Sequence, residues 1–246
     1  MIRLSWFGSS SVLASLAVVG LLTPSFAAED PPEKDLKAKD IIARVEKAYA
    51  ACETYRDSGE VSIKFTMETG DRIDIRPFTT SFIRPDRFRY QYQATNPANV
   101  TSRFLIWRKG NEVKTWWDVT PGIQKPESLA LAIAGATGVS GGSARTVPAM
   151  LMPKEVGSFG GMGLTDLKRL DDDKLENVDC FRIEGKFGSS PTTVWIDKKR
   201  SVILRIVETH DFGNFNTETT ITYKPVIGEK IPDDAFVFDP PKPEVD

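Results

Sequence analysis

The chain has 246 residues, 40% apolar, 10% aromatic and 27% charged, which excludes a disordered tail and is enough for one sizeable core or two small ones. Lys plus Arg (32) nearly balances Asp plus Glu (34), so the basic surplus that nucleic-acid binding requires is missing. A single histidine, His210, and two cysteines exclude a metal site built from imidazole and thiolate, and nothing in the sequence calls for a cofactor.

Residues 1–27 read as an export signal. Arg3 supplies the positive start, residues 12–22 an apolar run, and Ser25-Phe26-Ala27 a small-x-small cleavage site. That run is well short of the about 20 residues a helix needs to cross ~30 Å of hydrocarbon, so cleavage before Ala28 is expected rather than anchoring. No cysteine stands near the cut, which removes lipid anchoring there. The expected location is the periplasm, in soluble form. An oxidising compartment lets Cys52 and Cys180 pair, closing a loop worth ~4–5 kcal/mol in the chain-entropy picture. The alternative is two buried small apolar residues.

After a polar, Pro-rich lead-in at residues 28–35, one domain is expected over 36–246. Ile41, Ile42, Val45, Ala48, Tyr49 and Cys52 form one stripe of a helix over 36–52, with Asp40 as a cap. The period then changes to two. Val61, Ile63, Phe65 and Met67 alternate with Ser62, Lys64, Thr66 and Glu68, a strand with one apolar face. Strand patterns follow at 72–75, 78–83, 87–94, 103–108 and 112–118, with Gly110-Asn111 as the turn between the last two. Later strands are expected at 179–187, 192–197, 202–210 and 215–224. Short sequential strands with short turns predict an antiparallel meander within an α+β fold.

Between the two strand groups lies a helical insertion over about 126–163. Residues 128–136 read as an Ala/Leu/Ile helix, residues 138–142 as a glycine-rich break, and residues 146–152 as a second short apolar element. Such an insertion must cover the sheet. Phe65, Phe82, Phe88, Tyr90, Tyr92, Phe104, Trp107, Trp116 and Trp117 crowd the first half of the chain. At about 150–250 Å² each, they imply either a thick core or a hollow one, and composition alone favours the thick core.

Several segments together resemble the LolA-like periplasmic lipoprotein carriers. These are the first helix running into Tyr55-x-x-Ser58-Gly59-Glu60-Val61, the run Phe82-Ile83-Arg84-Pro85-Asp86-Arg87-Phe88-Arg89-Tyr90, and the hairpin from Leu105-Ile106-Trp107 to Trp116-Trp117. The run Thr146-Val147-Pro148-Ala149-Met150-Leu151-Met152 is similar to the short helix after that family's lid. Ala235-Phe236-Val237-Phe238-Asp239-Pro240-Pro241 is similar to its closing strand. The landmarks fall in order over nearly the whole mature chain.

The resemblance implies a strongly curved antiparallel sheet, an incomplete β-barrel, wrapped around the first helix and closed by a helical lid. It implies a monomeric carrier that takes lipoprotein or lipid acyl chains from a membrane-bound donor to an acceptor. Val61, Ile63, Phe65, Met67, Phe88, Tyr90 and Tyr92 would line the cavity, with Leu129, Leu131, Ile133 and Leu151 beneath the lid. Arg84 would latch the lid through its five donors, and Phe88 would handle ligand at the rim. One long acyl chain represents on the order of 10 kcal/mol of exposure to water, so it needs such a container.

Two other classes remain. A sensor of the same fold would bind a hydrophobic ligand without moving it. A serine hydrolase would use Ser140 in Gly138-Val139-Ser140-Gly141-Gly142 with His210, but that motif needs a strand before the serine and a helix after it. His210 otherwise reads as a polar strand-end residue and Asp171-Asp172-Asp173 as a solvated turn. Residues 157–163 lack the Lys-Ser/Thr of a phosphate loop. Asn99-Val100-Thr101 is a sequon without consequence in a bacterial host.

Overall fold

The computed structural model describes residues 33–95, 101–156 and 162–240. The chain divides into two compact units, Met1–Asp35 and Leu36–Asp246. The first unit is described only at Glu33–Asp35, a 3-10 turn; the expected export signal lies outside the described residues.

The second unit begins with α1 (Ala38–Ala50), whose Ile41, Ile42, Val45 and Tyr49 are buried as the apolar stripe predicts. Asp40 is not the cap residue itself. It sits one turn in and reaches back to accept the Lys37 backbone N–H at 3.3 Å. Two long strands follow, β1 (Thr54–Met67) and β2 (Gly70–Ile83), then β3 (Arg87–Thr95), β4 (Thr101–Lys109), β5 (Glu112–Trp117) and β6 (Thr120–Gln124). The insertion supplies α2 (Leu129–Val139), α3 (Thr146–Leu151) and α4 (Pro153–Val156). The second strand group is β7 (Leu164–Arg169), β8 (Asp173–Leu175), β9 (Val178–Phe187), β10 (Ser190–Asp197), β11 (Ile203–Asp211), β12 (Phe215–Thr222) and β13 (Val226–Ile227).

These strands make one curved antiparallel sheet in the order β6-β5-β4-β3-β2-β1-β12-β11-β10-β9-β7, with β13 on β1 and β8 on β9. Among the described residues its end strands β6 and β7 do not pair, so the sheet is an open, incomplete barrel. The meander follows from the period-two pattern, since each short turn returns the chain antiparallel to itself. Gly110-Asn111 makes the expected two-residue turn between β4 and β5, with Gly110 at a φ of 59°.

Alternation selects the inner face. Tyr55, Asp57, Val61 and Ile63 of β1 are buried, as are Phe78, Thr80 and Phe82 of β2 and Phe88, Tyr90 and Tyr92 of β3. On the other side of β1, Ile221 pairs with Val61 and Ile206 with Ile221. α1 packs on this face: its residues share one core cluster with Phe82, Phe88, Ile196 and Ile203, and the Tyr49 hydroxyl accepts the Ile203 N–H at 3.2 Å.

Four expectations need correction. The patterns at 72–75 and 78–83 are one continuous strand, because Pro77 does not interrupt it. β6, β7 and β8 were not foreseen; they are short or half-exposed and leave little periodicity to read. Among the described residues of the expected closing strand at 235–241, namely 235–240, no strand forms. That stretch begins in a 3-10 turn, Asp233–Phe236, and then straps the outer face, where Trp107 Nε1 donates to the Phe236 carbonyl and Arg103 to that of Asp239. Cys52 and Cys180 are both buried and unbonded; their thiols donate to the Thr54 and Val178 carbonyls instead.

Candidate functional site

The insertion is built to lie on the inner face. Ser128 caps α2, its hydroxyl accepting the Leu131 N–H at 3.2 Å. Leu129, Ala132, Ile133 and Ala136 are buried at i, i+3, i+4 and i+7. Leu131 is therefore 56% exposed, contrary to its expected place beneath the lid. Residues 129, 131 and 133 share a face in a strand, but in a helix position 131 is turned about 200° from 129.

The turn after α2 lies against the sheet. Gly141 and Gly142 have φ of 62° and 88°, a region open to glycine at little cost. A Cβ on Gly141 would stand 2.8 Å from Val61 and 3.3 Å from Ile63, so backbone lies directly against the apolar wall. Beside it the Tyr90 hydroxyl and Ser143 Oγ are 2.7 Å apart. Burial pushes the Tyr90 hydroxyl's pKa well up, so it stays neutral. Ser140 is itself buried at the end of α2; its hydroxyl donates to the Thr137 carbonyl and accepts the Ala144 N–H, both at 3.3 Å. A helix, not a strand, precedes it, so no nucleophile elbow forms.

Arginines on the sheet hold the helix ends. The last carbonyls of a helix have no intrahelical partner and sit at its negative pole. Arg84 donates from Nε to Cys52 O at 3.0 Å, and from Nη2 to Ala50 O at 2.9 Å and Leu151 O at 3.1 Å. One guanidinium thus closes the ends of α1 and α3 together. Arg76 Nη1 donates to Val139 O, the last residue of α2, at 2.8 Å. Arg108 of β4 forms an ion pair with Glu155 of α4. The lid's own Arg145 lies 3.4 Å above the Phe187 ring and 3.9 Å from Glu208. Of these, the family resemblance points to Arg84 alone; Arg76, Arg108 and Arg145 emerge from the structure. Arg76 carries a readable signal, since it falls on the same inward register of β2 as Phe78 and Phe82.

Of the expected cavity residues, Val61, Ile63, Phe88, Tyr90, Tyr92, Leu129, Ile133 and Leu151 are buried together in the core cluster. Phe65 and Met67 are half-buried towards the free end of β1, where Phe65 lies 6.5 Å from Phe215 and beneath Arg72. Phe88 is fully buried and opposite Phe82, not at a rim. His210 sits on β11, with Nδ1 2.7 Å from Ser190 Oγ and Nε2 3.0 Å from Glu208. In the aspartate turn, Asp172 pairs with Arg169 and Lys198, which keep its carboxyl below the usual range despite burial. Residues 157–161 and Asn99-Val100 lie outside the described residues, and among those described no helix is long and apolar enough to cross a membrane.

Comparison with known proteins adds the following. No protein-family model matches the sequence, and a search of curated proteins finds no match. Solved structures are similar to the chain at low identity and low TM-score. LprF from Mycobacterium bovis is 12% identical with a TM-score of 0.47, covering 79% of this chain and 94% of that one. An outer-membrane lipoprotein-sorting protein domain from Vibrio parahaemolyticus is 12% identical at 0.35, covering 81% and 95%. A LolA superfamily protein from Nitrosomonas europaea is 9% identical at 0.30, covering 82% and 98%. At such identities and TM-scores, substrate and partner have to be argued from the residues.

Proposed function

We propose that the protein is a soluble carrier of the periplasm that holds acyl chains of lipoproteins or other lipids against the inner face of its sheet. The reading rests above all on one observation: backbone of the lid turn at Gly141 lies directly on Val61 and Ile63. The apolar wall is thus covered by a segment that small residues and arginine contacts keep separable from it.

Function follows from the balance of terms. Withdrawing the lid exposes Val61, Ile63, Tyr90 and the buried stripe of α2, at about 25 cal/mol per Å² of apolar area. An acyl chain entering the same place restores that burial at ~0.8 kcal/mol per methylene. The arginine-to-carbonyl bonds close again when the lid returns, so open and closed states differ by a few exchangeable contacts. A donor or acceptor at a membrane then needs only to bias that equilibrium.

Native mass spectrometry of protein purified from its exported compartment tests this. An adduct of lipid or acyl-peptide mass, released by mild activation, is expected. A bare chain that also fails to take up an added acyl probe contradicts the carrier.

A further inference from the structure

The inner face is not uniformly apolar. All five tyrosines of the chain are buried on it or against it: Tyr49, Tyr55, Tyr90, Tyr92 and Tyr223. Tyr49 and Tyr90 spend their hydroxyls on the Ile203 N–H and on Ser143. The hydroxyls of Tyr55 and Tyr223 have no hydrogen-bond partner, and neither has Asp57 Oδ2. Asp57 is 2% exposed, its Oδ1 accepts the Lys224 N–H at 2.7 Å, and its charge acts on Tyr223. The Tyr55 hydroxyl stands beside Asp57 and lowers its pKa against the effect of burial.

These groups share one place. On β1, Tyr55, Asp57 and Gly59 occupy successive inward positions before Val61. Gly59 is bare there because a Cβ would come within 2.3 Å of the Phe78 ring. Across that gap Phe78 meets Tyr223 edge to face, with centroids 5.6 Å apart. Leaving a buried polar group unpaired costs about 1–3 kcal/mol, and three in one cluster are a large cost for a fold to retain without use.

The chemistry of the cluster is specific. A carboxylate accepts only, and two phenols can orient their oxygens as acceptors. Their complement is a positively charged hydrogen-bond donor; a carboxylate or phosphate would be repelled by Asp57. From Asp57 to Phe65 the strand runs ~26 Å, so an alkyl chain can lie along Val61 and Ile63 with its head at Asp57.

We infer that Asp57, Tyr55 and Tyr223 form a polar floor that receives an ammonium headgroup, so that the ligand is an amine-bearing amphiphile. This inference rests on the carrier reading and names its ligand class. Burial raises the Asp57 pKa to about 6, so the floor is anionic above that pH and neutral below it. The ionisable groups around it are Tyr49 from α1, Tyr55 beside it, Tyr90 from β3 and Tyr223 just after β12; Arg145 from the lid acts on Tyr223.

The test compares dodecylamine with dodecanol, which share a tail and keep their charge states across the range. Binding to the full chain is measured calorimetrically below their aggregation concentrations, above and below pH 6. Dodecylamine should bind roughly tenfold or more tightly above pH 6. That preference should collapse below pH 6 and in Asp57→Asn. Tyr223→Phe, which removes one unpaired hydroxyl, should weaken dodecylamine by roughly 2–10-fold and leave dodecanol unchanged. Equal affinities, or a preference that survives Asp57→Asn, overturn the inference and leave the cluster to buried water. Failure of both probes to bind overturns the carrier reading as well.

Discussion

Arg84 and Leu151 are joined by a hydrogen bond of 3.1 Å from guanidinium Nη2 to the carbonyl oxygen, between the end of β2 and the last residue of α3. The same nitrogen also serves Ala50, so a single side chain couples the position of the lid to that of α1. Arg84→Leu keeps much of the side chain's bulk and removes the donors. Amide exchange over Thr146–Leu151 should accelerate, and stability should fall by roughly 2 kcal/mol, the range for hydrogen bonds to a charged group. Unchanged exchange in that helix would mean that Arg84 does not fasten it.

Asp57 makes a prediction opposite to that of most carboxylates. Its pKa rises from 3.8 to about 6 because burial disfavours the charge. The folded chain therefore binds a proton over a range where the unfolded chain has released it. Stability from this group is greatest in acid, falls as pH rises from 3.8 to about 6, and stays at the lower level above. Asp57→Asn should stabilise the fold by roughly 2–3 kcal/mol above pH 6 and by almost nothing in acid. Thermal melts of both proteins at the two extremes decide it; a variant destabilised only above pH 6 would reverse the sign.

The two faces of α2 should respond differently. Ile133 is 2% exposed, and Ile133→Ala should cost about 2–5 kcal/mol through lost transfer energy and a residual cavity. Leu131→Ser, on the solvent side, should stay within about 0.5 kcal/mol. Denaturant titration of both variants checks the orientation of the lid helix, and a large loss at Leu131 would contradict it.

Both thiols should be free yet hidden. Burial raises the Cys52 and Cys180 pKa values, so neither is a ready thiolate. Protein isolated without reductant should react with a thiol reagent at two sites once unfolded and hardly at all when folded. A denatured chain with no titratable thiol would restore the disulfide.

Much of this architecture was legible because its periodicity is strong. The stripe Ile41, Ile42, Val45, Tyr49 and the alternation Val61, Ile63, Phe65 each permit one orientation, and α1 and β1 take it. The expectation for Arg84 came from the resemblance of the run at residues 82–90 to the LolA-like carriers rather than from periodicity. The lid interior was harder, since α2 is apolar nearly all round and its composition did not say which side faces inward. Asp57 precedes the apolar alternation that starts at Val61, and as a charged residue it is not marked by a hydrophobic pattern. Extended two steps back through Gly59, the same register reaches Asp57 and then Tyr55, so a charged residue on an inward position was there to be seen. Free Cys52 and Cys180 were beyond sequence, because pairing depends on geometry that spacing does not contain.

The central claim is that an acyl chain replaces the lid turn on the inner wall of the sheet. Photo-crosslinking with a diazirine-bearing fatty acyl amine, followed by peptide mapping, tests it most directly. The account predicts label on the inward residues of β1 and β3, Val61, Ile63 and Tyr90 among them, increased by Arg84→Leu and competed away by unlabelled amphiphile. Label confined to the outer face, or none above that of the unfolded chain, would contradict it.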